Sequence, residues 1–271
     1  MRRVDGILEI EEIFDIIEQG TTMPVRCRLS NGLNVIVKYM NNPYGQMVLV
    51  NEFVGNCVAD VLGVTIPEFG ICNLSENVIS STNVNESIDE RNSGPAFFSS
   101  AHTKTTPLQR RLLPSIINKE TERLIVLDHI LNNHDRHEGN ILCDISSGAK
   151  IYAIDHSHIF TKVVSPSIEV LERELTKEAL FSPSILIDNK ELYDMLCSGV
   201  SYNENEIRNM GKWVKEKLTP TEIEKIKKSL PEMWINSVGN DKINKIFEIL
   251  NYRASHIEEI SEMIIEERRK M

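Results

Sequence analysis

The sequence lacks several features that would assign it to a specialised class of protein. Its five cysteines never occur in Cys-x-x-Cys spacing, which argues against a disulfide framework or a zinc knuckle. Only 13 Gly and 10 Pro occur among 271 residues, and hydrophobic residues make up 41% of the chain. This is the composition of an ordinary globular protein and not of a disordered one. We therefore expect a folded protein in a reducing cytoplasm.

Positive charge and long apolar runs are also scarce. The chain has 30 Lys and Arg against 40 Asp and Glu, which gives a formal net charge of −10. Because nucleic-acid phosphates are bound by clustered basic residues, we expect no nucleic-acid partner. Asp5 comes before any long apolar stretch, and the run of about 18 apolar residues that a membrane helix needs does not occur. We expect neither an export signal nor a membrane location.

Short β-prone runs dominate the first part of the chain. Asn31-Gly32 lies between two of them and indicates a hairpin over residues 25–38. The second run ends at Lys38. Apolar residues then recur at three- and four-residue steps from Gln46 to Leu62, which predicts a helix that carries Glu52. We predict a small β-rich unit over residues 1–100.

Helical periodicity dominates the second part of the chain, residues 101–271. The polar stretch from Ser75 to Gly94, just before this part, predicts a surface loop. The predicted helices cover residues 120–131, 171–180, 190–196, 204–217, 221–230 and 241–267. A β-rich unit followed by a helical one gives an α+β fold class.

A polar segment interrupts the helical pattern after residue 131. It contains Asp135 and Asn140, and two short strands around a turn at residues 146–148 follow it and end at Asp155. A hairpin brings its outer ends together, so Asn140 and Asp155 are expected side by side. Asp135, five residues before Asn140, can face the same cleft.

These residue types suit phosphoryl transfer. Magnesium takes oxygen ligands and keeps several waters, so Asn140 and Asp155 are the expected metal ligands. Asp135 would accept the proton of the attacking hydroxyl. Lys38 would pair with the phosphates of ATP, while Glu52 from the following helix holds its ammonium group. The residues predict a phosphotransferase that depends on ATP and Mg²⁺.

The loop and hairpin resemble the catalytic and metal-binding segments of the HipA-like serine/threonine kinases. Those kinases are similar to phosphatidylinositol kinases in an Asp-Arg-His-x-x-Asn loop, which stands here at residues 135–140. The similarity covers most of the chain and includes Lys38, Glu52 and a helical tail around residues 234–253. It implies a bilobal protein-kinase-like fold, with a small β-rich N-terminal lobe over residues 1–100 and a mainly helical C-terminal lobe over residues 101–271.

The resemblance also implies roles for single residues. It places an inter-lobe hinge near residues 96–100, where Phe97 and Phe98 would contact the nucleotide. The implied catalytic residues are Asp135, Asn140 and Asp155. The implied acceptor is a protein Ser or Thr hydroxyl. A toxin or another signalling role stays open, as does an antitoxin or regulatory partner.

The sequence departs from the general kinase pattern in two places. No Gly-x-Gly-x-x-Gly motif covers the phosphates, which is usual for the HipA-like family. Asp155 is followed by His156-Ser157 in place of Phe-Gly, which leaves the control of this metal-binding segment open.

The same residues allow three other interpretations. The histidines at 134, 137, 156 and 158 could form a transition-metal site with Asp135 and Glu138, but their spacing matches no recognised zinc pattern. A kinase-shaped binding protein that has lost catalysis is disfavoured, because no polar residue of the expected set is missing. A kinase acting on a lipid or small molecule is disfavoured by the acidic charge and the lack of a basic amphipathic helix.

Overall fold

The computed structural model describes residues 2–18, 22–82, 88–102, 104–116, 120–144, 150–197 and 203–270. Five strands of its amino-terminal part form a closed barrel in the order β1-β2-β3-β5-β4. The strands are β1 (Arg3–Ile16), β2 (Val25–Leu29), β3 (Asn34–Lys38), β4 (Phe69–Leu74) and β5 (Gly94–Ser100). Strand β1 pairs with β4 in parallel and with β2 antiparallel, which closes the barrel.

A smaller sheet carries the predicted hairpin. Strands β6 (Thr105–Pro107), β7 (Ile141–Asp144) and β8 (Lys150–Ala153) are antiparallel in that order. Ile141 pairs with Ala153, so the residues just outside the hairpin, Asn140 and Ile154, are neighbours. The turn predicted at residues 146–148 lies outside the described residues.

The described helices lie mostly in the second half of the chain. They are α1 (Met47–Leu62), α2 (Glu76–Ser81), α3 (Thr121–Leu131), α4 (Ile168–Arg173), α5 (Lys177–Leu180), α6 (Ser184–Asp188), α7 (Lys190–Leu196), α8 (Glu204–Lys217), α9 (Pro220–Lys228), α10 (Glu232–Val238), α11 (Asn240–Ser255) and α12 (Ile257–Lys270). None of them has the length and apolar character needed to cross a membrane.

Helix α1 is the element that joins the barrel to the helical part. It contacts β4 and β5 on one side and α3, α8, α9 and α10 on the other. All of its residues except Asp60 and Val61 are therefore buried. Gly63 ends the helix in the left-handed conformation, with φ of 69°.

Several predicted elements differ in the structure. The helix predicted at 171–180 is two short helices, because the Thr176 side chain accepts a hydrogen bond from Ala179 N and starts a new helix there. The helix predicted at 241–267 is interrupted at His256. The surface loop predicted from Ser75 to Gly94 contains α2, and its residues 83–87 lie outside the described residues.

Two apolar cores stabilise the molecule. One fills the barrel and includes Ile10, Val35 and Phe98. The other runs from α1 through the helices and includes Phe53 and Trp234, whose rings meet edge to face at 6.2 Å. The indole Nε1 of Trp234 donates to Pro95 O at 2.8 Å, which fixes the start of β5 to α10.

Candidate active site

A cavity of about 840 Å³ lies between the barrel and the small sheet. This volume is in the range of sites that bind drug-sized ligands, roughly 300–1,000 Å³. Its walls include Lys38 from β3, Glu52 from α1, Phe97 from β5, and Asn140 and Asp155 from the two ends of the hairpin. Five of the residues singled out by the sequence therefore meet in one place.

The polar end of this cavity is built around Lys38. The residue closes β3 and is only 7% exposed. Its ammonium group donates a short hydrogen bond to Glu52 Oε1 and a second one to Asp155 Oδ1 at 3.2 Å. Glu52 Oε2 accepts from the backbone N–H of His156 at 3.1 Å. Glu52 thus connects α1 both to Lys38 and to the segment that carries Asp155.

Charge is retained at this end of the cavity. Burial alone would lower the pKa of Lys38, but the carboxylates of Asp155 and Glu52 outweigh it and raise that pKa above its usual value. Burial alone would raise the pKa of Asp155, but the Lys38 ammonium and hydrogen bonds from Ser157 hold it well below its usual range. Burial raises the pKa of Glu52 to about 7, although Lys38 opposes the shift. Asp155 is therefore an ionised carboxylate at neutral pH.

The backbone at Asp155 has an uncommon conformation that suits its position. Its φ is +56°, in the left-handed region that side chains other than glycine, asparagine and aspartate rarely adopt. The Asp155 carboxylate still has 37% of its side-chain surface exposed. A partly exposed anion beside a buried ammonium is an arrangement that can bind a divalent cation.

Asn140 lies beside Ile154, the residue before Asp155, and both Asn140 and Asp155 line the cavity. It closes a short 3₁₀ helix (Glu138–Asn140), which is capped by His137 Nδ1 accepting from Gly139 N at 3.0 Å. The Asn140 side-chain amide donates to the backbone carbonyl of Asp135 at 2.7 Å. Its Oδ1 receives no hydrogen bond from the described part of the chain, so this oxygen is available to a ligand.

Asp135 lies at the edge of the site. It is not among the residues that line the cavity, and its side chain is 46% exposed. Its backbone N–H donates to Asn133 Oδ1 at 3.0 Å, and its carboxylate Oδ2 is 3.5 Å from His158 Nδ1. The backbone carbonyl of Asp135 accepts a hydrogen bond from the Asn140 side chain, and this bond links Asp135 to a candidate metal ligand.

The two aromatic residues proposed for the nucleotide face opposite sides of β5. Phe97 lines the cavity, whereas Phe98 packs in the barrel core, where its ring fills the space that a side chain at Gly70 would occupy. This follows from the alternation of side chains along a strand. The nucleotide role of both residues stays a prediction, and only Phe97 presents its side chain to the cavity.

A buried polar network that the sequence did not reveal holds the loop at 133–140. Arg136 is 1% exposed and pairs with the fully buried Asp128 at 3.1 Å. Arg136 Nη1 also donates to the backbone carbonyl of Ile154 at 2.8 Å, which ties the loop to the residue before Asp155. Asn133 Nδ2 and the Tyr193 hydroxyl donate to the same Asp128 carboxylate at 2.9 and 2.8 Å. The one sequence signal was an acidic residue on the apolar face of the predicted helix at 120–131.

Asn189 completes this network from the end of α6. Its Oδ1 accepts from Arg136 N at 2.9 Å, and its Nδ2 donates to Asn133 O at 2.8 Å. The loop is therefore held by both its side chains and its backbone, which is the support that a site of fixed geometry requires.

The histidines near the site are placed separately. His156 is fully buried against α1, with Nδ1 3.3 Å from Asn56 Nδ2, and burial holds its pKa well below the usual value. His134 Nδ1 pairs with Asp188 at 2.7 Å. Among the described residues, no group of three or more His, Cys, Asp and Glu side chains is arranged to hold a metal.

Comparison with known proteins concerns the family and the fold of the chain. The profile of a protein family described as HipA-like kinase matches residues 10–259. No curated protein matches the chain. Among solved structures, the crystal structure of the Golgi casein kinase with Mn/ADP bound is similar with a TM-score of 0.55 and 11% identity, over 96% of this chain and 74% of that one. A second crystal structure of the Golgi casein kinase has a TM-score of 0.50 and 11% identity, over 96% and 72%. At this identity the likeness concerns the fold, which is kinase-like.

Proposed function

The chain belongs to the HipA-like kinase family, and on that premise we propose that it is a phosphotransferase that uses ATP and Mg²⁺. The observation that carries the proposal is the meeting of Lys38, Glu52 and Asp155 at the polar end of a cavity large enough for a nucleotide. In this proposal the barrel belongs to an N-terminal lobe of residues 1–100. The helical part forms the C-terminal lobe, with the hinge near residues 96–100.

The donor set fits magnesium. Asp155 offers an ionised carboxylate, and the free Oδ1 of Asn140 offers a neutral oxygen, which are the hard ligands that this ion prefers. Two protein ligands suffice, because magnesium completes its octahedron with water and phosphate oxygens. When bound, the metal would neutralise charge on the phosphates. Lys38, held by Glu52, would bind a phosphate oxygen with its ammonium group.

Asp135 takes the role of general base in this proposal. The oxygen of the acceptor hydroxyl forms a bond to the γ-phosphorus, and the bond from that phosphorus to the bridging oxygen of ADP breaks. The proton of the hydroxyl passes to the Asp135 carboxylate. The 46% exposure of this side chain leaves room for an acceptor to reach it.

The acceptor we propose is a serine or threonine of a protein in the cytoplasm. The resemblance to serine/threonine kinases supports this choice, and so does an exposed carboxylate that a polypeptide segment can approach. A toxin or signalling role, controlled by an antitoxin or another regulatory protein, is consistent with this acceptor.

The test is transfer of radiolabel from ATP. The protein is incubated with labelled ATP and magnesium, first alone and then with a cell extract, as wild type, Asp135→Asn and Asp155→Asn. Asp241→Asn, an exposed residue at the start of α11, controls for the loss of one charge. We expect a loss of about 10²- to 10⁴-fold for Asp135→Asn, the usual contribution of a general base. Asp155→Asn should be inactive, and Asp241→Asn should match wild type.

The products separate the alternatives. Label on protein, released by enzymes that remove phosphate from serine and threonine, supports the proposed acceptor. Label in the lipid or small-molecule fraction would show instead that the acceptor is a lipid or a small molecule. Equal, background-level transfer by wild type and Asp135→Asn would refute the enzyme and leave a kinase-shaped binding protein.

A further inference from the structure

A line of hydrogen-bonding groups connects the two carboxylates of the site. The Ser157 hydroxyl donates a short hydrogen bond to Asp155 Oδ1, and it lies 3.0 Å from Nδ1 of His158. The same Nδ1 is 3.5 Å from Asp135 Oδ2. We call Ser157 and His158 together the Ser157–His158 bridge. It links the candidate metal ligand to the candidate base.

The direction of each hydrogen bond in the bridge follows from the protons available. Asp155 is ionised and can only accept, so the single hydroxyl proton of Ser157 is directed to it. The Ser157 oxygen must then accept from His158. Nδ1 of His158 therefore carries a hydrogen, and this one hydrogen faces both Ser157 Oγ at 3.0 Å and Asp135 Oδ2 at 3.5 Å.

His158 is also held by the ring of Tyr44. Its ring meets the edge of the Tyr44 ring at 6.2 Å with an interplanar angle of 64°. Tyr44 lies in the turn between β3 and α1, where its backbone N–H donates to Asn42 Oδ1 at 3.0 Å. Asn42 also donates to Tyr39 O at 3.0 Å and is 4% exposed. The imidazole thus packs against a hydrogen-bonded turn, and its side chain is only 26% exposed.

Among the described residues, the carboxylate of Asp135 is held less firmly than the ring of His158. Its backbone is tied to Asn133 and Asn140, but among the described residues the side-chain oxygens have one ionisable neighbour, which is His158. A general base must stand within about 0.5 Å of its working position. The 3.5 Å contact is longer than a good hydrogen bond, as catalytic contacts often are before substrate binds.

We propose that His158 is a positioning residue that orients the Asp135 carboxylate through its Nδ1–H, and that Ser157 ties this orientation to Asp155. The consequence is that the base is correctly placed only when the segment of Asp155 is in place. This inference rests on the proposed function, because it takes Asp135 as the base.

The first test measures the bridge without using activity. Ring-nitrogen NMR of the ¹⁵N-labelled full chain reports which nitrogen of each neutral histidine carries the proton, and His158→Asn assigns the signals of His158. We expect the Nδ1–H form in wild type, and a larger share of the Nε2–H form in Ser157→Ala. An Nε2–H form in wild type would overturn the proposal.

The second test uses a pair of isosteric variants. The amide of His158→Asn can place a donor where Nδ1 was, whereas the amide of His158→Gln places it where Nε2 was. The rate measured is the magnesium-dependent turnover of ATP with water as the acceptor. We expect His158→Ala and His158→Gln to lower kcat about 10- to 100-fold, the effect of misplacing a reacting group by about 1 Å, with KM for ATP unchanged. His158→Asn should recover most of the loss.

A double variant separates positioning from a merely structural role. Added to Asp135→Asn, His158→Ala should cause no further loss, because residues that act as a unit are not additive. A loss that multiplies with that of Asp135→Asn, or equal losses for His158→Asn and His158→Gln, would overturn the proposal. Full activity of Asp135→Asn would refute the proposed base. An inactive Asp135→Asn beside a fully active His158→Ala would refute only the role of His158.

Discussion

Gly55 gives the sharpest test of how α1 is fitted to the site. It lies in the middle of α1, three residues after Glu52, and its missing side chain is what lets the helix approach His156. A Cβ added at Gly55 would lie 2.4 Å from the Cβ of His156, which is next to the backbone and has no freedom to turn away. Gly55→Ala therefore forces α1 and the segment of Asp155 apart.

The size of this effect follows from the distance. Ordinary contact starts at 3.4 Å, so the 2.4 Å approach must open by about 1 Å. A shift of that size at a reacting group costs roughly 100-fold in rate. The stability changes less, because alanine gains about 1 kcal/mol of helix propensity over glycine while overpacking costs about 1–3 kcal/mol. We expect a net loss of at most about 2 kcal/mol from these two values.

Gly211→Ala is the matched control. Gly211 is also inside a helix, α8, and an added Cβ would lie 2.5 Å from Ser261 Oγ, far from the cavity lining. Both variants are compared with wild type by urea unfolding and by radiolabel transfer from ATP, at a temperature where circular dichroism shows all three folded. We expect Gly211→Ala to lose no more stability than Gly55→Ala, because the Ser261 hydroxyl can rotate away, and we expect a loss of transfer in Gly55→Ala alone. Wild-type transfer by Gly55→Ala would refute the fit between α1 and Asp155.

Three further predictions concern stability and ligand binding. Tyr193→Phe should cost about 1.5–3 kcal/mol in urea unfolding, the value of a hydrogen bond to a charged group, and Asp128→Ala about 3–5 kcal/mol, because it leaves Arg136 buried and unpaired. Burial lowers the pKa of His129 from 6.5 to about 3, so below pH 6.5 the unfolded chain binds a proton that the folded chain does not. As the pH is lowered from 6.5 towards 3, this difference should reduce the free energy of unfolding by up to about 1.4 kcal/mol per pH unit. The reduction should be smaller in His129→Gln. Lys38→Ala should weaken ATP binding at least about tenfold in calorimetry with an unchanged circular dichroism spectrum, because an ammonium paired with phosphate is lost.

Local signals in the sequence were enough for the elements that carry the site. Asn-Gly at 31–32 predicts the hairpin that presents Lys38, and the apolar repeat from Gln46 to Leu62 predicts α1 to within one residue. The hairpin of β7 and β8 places Asn140 beside Ile154, the residue before Asp155, because antiparallel pairing brings the outer ends of a hairpin together. These are short-range patterns, in which each residue contributes through its immediate neighbours.

Strand β1 shows what a local pattern cannot reveal. Its two buried residues, Ile10 and Ile13, are three positions apart, whereas a regular strand buries every second residue. The register with β2 shifts between Ile10 and Glu12 and again between Ile13 and Asp15, and these irregularities bring both isoleucines to the core. The alternation that predicts a strand is therefore interrupted at Glu11 and Glu12, although the strand closes the barrel.

The network around Asp128 was missed for a different reason. An aspartate on the apolar face of a helix breaks the hydrophobic pattern, and the sequence does not show which residues pair with it. Its partners Arg136 and Tyr193 are 8 and 65 residues away. Only the folded chain brings them together. Phe97 and Phe98 illustrate the same limit, because the opposite directions of their side chains follow only once β5 is known to be a strand.

The most direct test of the account is calorimetric titration of ATP with and without magnesium. The central claim is that Asp155 and Lys38 belong to one magnesium–nucleotide site at the polar end of the cavity. Wild type and the control Asp241→Asn should bind ATP more tightly when magnesium is present. Asp155→Asn should lose this gain while it keeps its fold by circular dichroism. An equal magnesium-dependent gain in Asp155→Asn would contradict the claim.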